Sequence, residues 1–170
     1  MPTTFTDCDK GVHDIAVALM GKYYRDLADA DVTIRYLFAS NPDAIGGALK
    51  HNGYPAAATV KVNSLKDRVE GKTDCAITID KKWWDAHDQR ACAALIDHEL
   101  YHILIAYDDE GELITDDAGR PKVKLRPHDF QIGGFHVIAE RHGPHAEEVV
   151  AILGTQAKWV QMGLQFEPWG

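Results

Sequence analysis

The stretch from residue 83 to residue 107 limits the fold most. It is a helix-favouring, largely apolar run that carries the pentad His98-Glu99-Leu100-Tyr101-His102. Ala91, Ala93, Ala94 and Leu95 favour helix, and Asp85 or Asp88 can cap its start. Leu95, Ile96, Ile103, Leu104 and Ile105 make the stretch apolar on more than one side, which predicts a helix central to the core. Ionisable groups on such a helix need partners, because burying an unpaired charge is costly. The HExxH spacing offers one. Side chains four apart stack on one helical face, so both imidazoles can reach a single metal ion. Glu99 stands about 100° around the helix from His98, close enough to reach a water on that ion without displacing it. Zinc lowers the pKa of such a water to about 7, and a carboxylate can take its proton as it attacks a carbonyl. Shuffling this composition would yield about 0.02 such pentads, so a helix face carrying two histidines for unrelated reasons is the weaker account.

A catalytic zinc ion takes three protein ligands and a water. The downstream candidates for the third are His128, His136, Glu140, His142 and His145, with the acidic run 108–112 as a further option. That run contains Gly111 and reads better as a solvated turn. His128 opens a helix at Pro127-His128-Asp129, after a hairpin that can fold the chain back over the pentad, and it leads the set. His136 would lie on roughly the same face two turns later and is the alternative, although beside Phe135 it also reads as a packed histidine. His142 and His145 flank the break at Gly143-Pro144. Tyr54, Tyr101, Arg126 and His136 are all candidates for stabilising an oxyanion.

Around the central helix the pattern is α+β. Apolar residues at helical spacing mark a helix over 13–28, and β-branched or aromatic runs mark strands over 32–38, 59–62 and 75–79. Residues 46–55 read as a turn-rich loop with a short helical piece. The runs 112–115 and 122–125 look like a small hairpin, a helix should follow from Pro127 to about Arg141, and Pro144 should begin the last one. The expectation is one domain over 1–170: an N-terminal helix and strands at 12–80, the HExxH helix at about 83–107, a hairpin and third-ligand region at 108–142, and a C-terminal helix at 144–166.

Composition narrows the function. With 45% hydrophobic residues in 170, the chain can bury a core. Eighteen basic against twenty-six acidic side chains, a net charge of −8, argue against nucleic acid and anionic membrane as partners. Three scattered cysteines, Cys8, Cys75 and Cys92, make no disulfide framework and suggest a reducing compartment. The first dozen residues lack the features of a secretory signal, so a cytoplasmic location is expected. There is no Gly-rich phosphate loop and no GxSxG. Trp159, Phe166 and Trp169 read as a docking face for the last helix.

Several segments resemble the phage metallopeptidase family, whose members are small zincin-like domains. They are the strand 75–80, Lys82-Trp83-Trp84, Gln89-Arg90-Ala91 running into the pentad, Leu125-Arg126-Pro127-His128-Asp129-Phe130, and Ile138-Ala139-Glu140-Arg141-His142-Gly143. The resemblance as a whole covers roughly residues 33–143. The resemblance implies a small mixed or antiparallel sheet packed on a central HExxH helix, with further helices after it. It implies a zinc-dependent peptidase acting on peptide or protein substrates, phage-encoded and acting in the host cell. His98, His102 and His128 would be the zinc ligands and Glu99 the general base. In zincin-like folds an extended peptide pairs with the free edge of a strand beside the active-site helix, and residues 75–79 would be that strand here. SprT-like proteases bring a Cys-rich ribbon or basic extension that this sequence lacks, and Thr73-Asp74-Cys75-Ala76 does not match the Glu-Gly-Cys setting of peptide deformylases. A rival from another class is a non-catalytic zinc-stabilised binding or virion-associated module, which would have no use for Glu99.

Overall fold

The computed structural model describes residues 2–128 together with Val137, Arg141 and His142. The chain divides into two compact units, residues 1–127 and 128–170. The helices expected over 127–141 and 144–166, with His136, Glu140, His145 and the aromatic residues near the C terminus, lie outside the described residues apart from Pro127, His128, Val137 and Arg141.

The first unit opens with β1 (Thr4–Asp7), and Asp9 then starts α1 (Lys10–Tyr23) by accepting a hydrogen bond from the Val12 N–H at 3.3 Å. Val12, Ala16 and Leu19, three and four apart, face the core. The helix expected over 13–28 breaks at Tyr24, whose φ of −127° leaves helical geometry, and α2 (Arg25–Asp29) resumes beyond it. β2 (Ile34–Ser40) follows. The turn-rich segment is a hairpin of two short strands, β3 (Lys50–His51) and β4 (Tyr54–Pro55). Asn52 and Gly53, at φ of 50° and 84°, form its two-residue turn with the positive φ pair that such turns require. β5 (Ala58–Val62) comes next. α3 (Leu65–Val69) carries a capping box in which Ser64 accepts from the Asp67 N–H and Asp67 from the Ser64 N–H.

β6 (Cys75–Asp80) is the hub of the main sheet. Among the described residues the strand order is β1-β2-β6-β5, with β6 parallel to β2 and antiparallel to β5. Residues 75–79 therefore have no free edge, contrary to the expectation that a peptide would pair there. Ile77 and Ile79 are buried, as interior β-branched positions should be, and the outer edges belong to β1 and β5.

The run expected as one helix over 83–107 is three elements. α4 (Lys81–Asp85) is capped by Asp80, which accepts from the Trp83 N–H at 2.9 Å, and it ends at Ala86. The His87 ring then stacks on Trp83. Asp88 starts α5 (Gln89–Tyr101) by accepting from the Ala91 N–H at 2.9 Å. Ile96 and Leu100 are fully buried in the core shared by α1, α5 and the sheet, each stabilising the fold by about 1.5–3 kcal/mol.

After His102 the chain turns directly into β7 (Ile103–Ile105), which pairs antiparallel with β8 (Val123–Leu125). Tertiary pairing overrides local helix propensity here. The segment 122–125 thus pairs with the end of the expected helix, while 112–115 makes only isolated bridges, Tyr107 to Leu113 and Thr115 to Pro121. Two ion pairs tie this excursion back to the sheet unit: Arg68 to Asp116 at 2.7 Å, and Arg120 to the buried Asp74 at 2.8 Å. No helix among the described residues is long and apolar enough to cross a membrane.

Candidate metal centre

The last turn of α5 sets the two pentad histidines one above the other. Their Nε2 atoms are 3.3 Å apart, with the rings nearly perpendicular. Zinc–nitrogen bonds of about 2.0–2.1 Å in a tetrahedral site put two ligand nitrogens about 3.3–3.4 Å apart, so the pair already has the spacing of two ligands on one ion. A cation here would also meet the partial negative charge at the helix C terminus.

His102 is held from behind. Its Nδ1 lies 2.6 Å from the backbone carbonyl of Arg126. A carbonyl can only accept, so Nδ1 carries the proton and Nε2 presents its lone pair to the cluster. The Arg126 N–H in turn donates to the His102 carbonyl at 2.6 Å. These two bonds fix the chain two residues before His128. Among the described residues, His98, His102 and His128 form the group that could hold a metal ion, each offering one ring nitrogen and all within 4.8 Å of one another. His136 lies outside the described residues.

Glu99 points away from solvent, at 4% exposure, and burial pushes its carboxyl up to about 7. The acidic run 108–112 behaves as a turn: Asp108 Oδ1 accepts the N–H groups of Glu110 and Glu112 at 3.0 and 2.8 Å. Of the oxyanion candidates, Tyr54 sits exposed on β4, whereas Tyr101 and Arg126 come together, with the guanidinium carbon 3.7 Å from the centre of the tyrosine ring.

Two supports had no local signal in the sequence. The Arg126 backbone reaches His102 across 24 residues, and the Tyr24 hydroxyl donates to both the backbone carbonyl and the carboxylate of Asp97, the residue before the pentad. Only the proximity of Arg126 to His128 in the Leu125–Phe130 segment hinted at the first.

No curated protein and no solved structure matches the chain. A family model described as Putative phage metallopeptidase matches residues 4–158, a wider span than the segments that carried the resemblance. Family membership implies a metal, and the three histidines are a donor set able to hold one. The chain belongs to the phage metallopeptidase family.

Proposed function

We propose that the protein is a zinc-dependent metallopeptidase of zincin-like architecture, with His98, His102 and His128 as the metal ligands and Glu99 as the general base. The observation that carries this reading is the 3.3 Å spacing of the two pentad Nε2 atoms, one flank away from a buried carboxylate. Three imidazoles without a thiolate suit zinc. Zinc in such a set acts as a Lewis acid and brings the pKa of water to about 7.

The residues of this chain supply the rest. The Arg126 carbonyl accepts a hydrogen bond from His102 Nδ1 and so holds the ring with Nε2 facing the cluster. Glu99, lifted by burial to about 7, suits a group that takes a proton from an attacking water on one carboxylate oxygen and returns it to the leaving amine. An extended peptide would pair with the outer edge of β5, which packs against both α5 and β8.

The test is Glu99→Gln measured against wild type for zinc content and peptide hydrolysis. Zinc stoichiometry should be retained and turnover should fall by at least about 10²-fold, the scale of a lost general base. Equal turnover would remove Glu99 from the chemistry. Zinc binding without turnover of any peptide by wild type would favour the non-catalytic module.

A further inference from the structure

The backbone of Arg126 serves His102, while among the described residues its side chain rests on an aromatic ring and makes no ion pair. The guanidinium lies over the half-exposed Tyr101 ring, and Nη1 is buried and meets no hydrogen-bond acceptor among the described residues. Acidic side chains outnumber basic ones in the chain, 26 to 18, yet among the described residues none forms an ion pair with Arg126. A permanently charged fork with a buried N–H unmatched among the described residues is costly to maintain unless another group fills it.

Its position suggests what that is. At about 100° per residue, Tyr101 and Glu99 lie on opposite sides of the helical face shared by His98 and His102, each roughly 80° from its midline. Arg126, resting on Tyr101, is therefore on the flank away from Glu99, beside the metal face. A guanidinium there is placed to meet a group neighbouring the scissile bond. Its planar pair of donors fits a carboxylate bidentately.

We propose that Arg126 is a specificity-determining residue that binds a substrate carboxylate, either an Asp or Glu side chain next to the scissile bond or the free C terminus of the peptide. This rests on the metallopeptidase reading. The experiment uses peptides matched in sequence, carrying Glu or Gln at positions flanking the cleaved bond, and ending in a free acid or an amide. Zinc-loaded wild type should prefer the acid over its neutral match by about 10- to 100-fold in kcat/KM, mostly through KM, the scale of a charge-assisted hydrogen-bonded pair. Whether the Glu/Gln pair or the acid/amide pair discriminates identifies the source of the carboxylate. In Arg126→Gln the acid-to-neutral ratio should collapse to about one, and in Arg126→Lys, which keeps the charge without the fork, it should fall part way. If neither variant folds, a wild-type acid-to-neutral ratio of about one still overturns the proposal, and Arg126→Met supplies the variant arm.

A second readout needs no turnover. N-acetylated peptides, acid against amide, are titrated calorimetrically into zinc-loaded Glu99→Gln protein, with and without Arg126→Gln. An acid preference that depends on Arg126 supports carboxylate binding by its guanidinium independently of turnover, so failure of this assignment and failure of the peptidase reading are told apart. Cleavage without acid preference, a preference that survives Arg126→Gln, or an equal kcat loss on every peptide would overturn it.

Discussion

Asp74→Asn removes one charge from a buried knot at nearly constant volume. Asp74 is 1% exposed. Its Oδ2 accepts from the Thr33 N–H, the Thr33 hydroxyl and one Arg120 terminal nitrogen, all at 2.8 Å, and its Oδ1 accepts from Arg120 Nε at 3.3 Å. Burial pushes the carboxyl upward, but the Arg120 pair and the Thr33 donors outweigh it and hold the pKa below the ordinary value of 3.8. Breaking a buried pair costs about 3–5 kcal/mol. The Arg120 side chain keeps 31% exposure, so its stranded charge retains part of its hydration, and we expect about 2–3 kcal/mol at pH 7. The assay is urea unfolding of wild type and variant from pH 7 downward. Because the folded pKa lies below the unfolded one, the charge contributes fully above an unfolded pKa of about 3.9 and its contribution is lost as pH falls through the folded value. The gap between the two proteins should be widest near neutrality and close on acidification. A gap under about 0.5 kcal/mol at pH 7, or one indifferent to pH, would refute the assignment of Asp74 as a charged anchor for the excursion between β7 and β8.

Two further outcomes follow from the same structure. Stripping zinc with a chelator should lower the melting temperature: at free zinc one hundred times Kd the loss is about 2.7 kcal/mol, or roughly 5–11 °C for a chain of this size. The shift should vanish in His98→Ala, and identical melting with and without zinc in wild type would contradict the three-histidine site. Burial pushes the Cys8 and Cys75 thiols up to about 12 and also raises that of Cys92. At pH 8 iodoacetamide should therefore label none of the three quickly in the native protein and all three in denaturant, as read by intact mass; one fast-reacting thiol would contradict this burial.

Local rules carried the reading where structure is local. Asp88 as a cap, the alternation of Cys75, Ile77 and Ile79, and the stacking of His98 on His102 all follow from spacing within one turn or one strand. The hairpin signal Asn52-Gly53 and the cap pair Ser64 and Asp67 were present too, but the strands and helix they serve are only two to five residues long and carry no period of their own. β1 was illegible because all four of its residues are exposed. What failed was non-local. Nothing within residues 83–107 announces that Ile103–Ile105 will pair with Val123–Leu125, or that β5 will cover the second edge of β6. The same holds at the site. Two of the proposed ligands and the proposed base lie within five residues, whereas the carbonyl that orients His102 arrives from Arg126.

His102 closes a helix, and the very next residue opens a strand, so one side chain sits where two backbone ladders meet. Fraying of the last helical turn and peeling of the short ribbon after it would both release the same ring. An ion held there would weld these two weak spots into a single cooperative patch. Amide hydrogen exchange should then slow in step across residues 98–102 and 123–126 as zinc is added, while the outlying β1 edge exchanges as before.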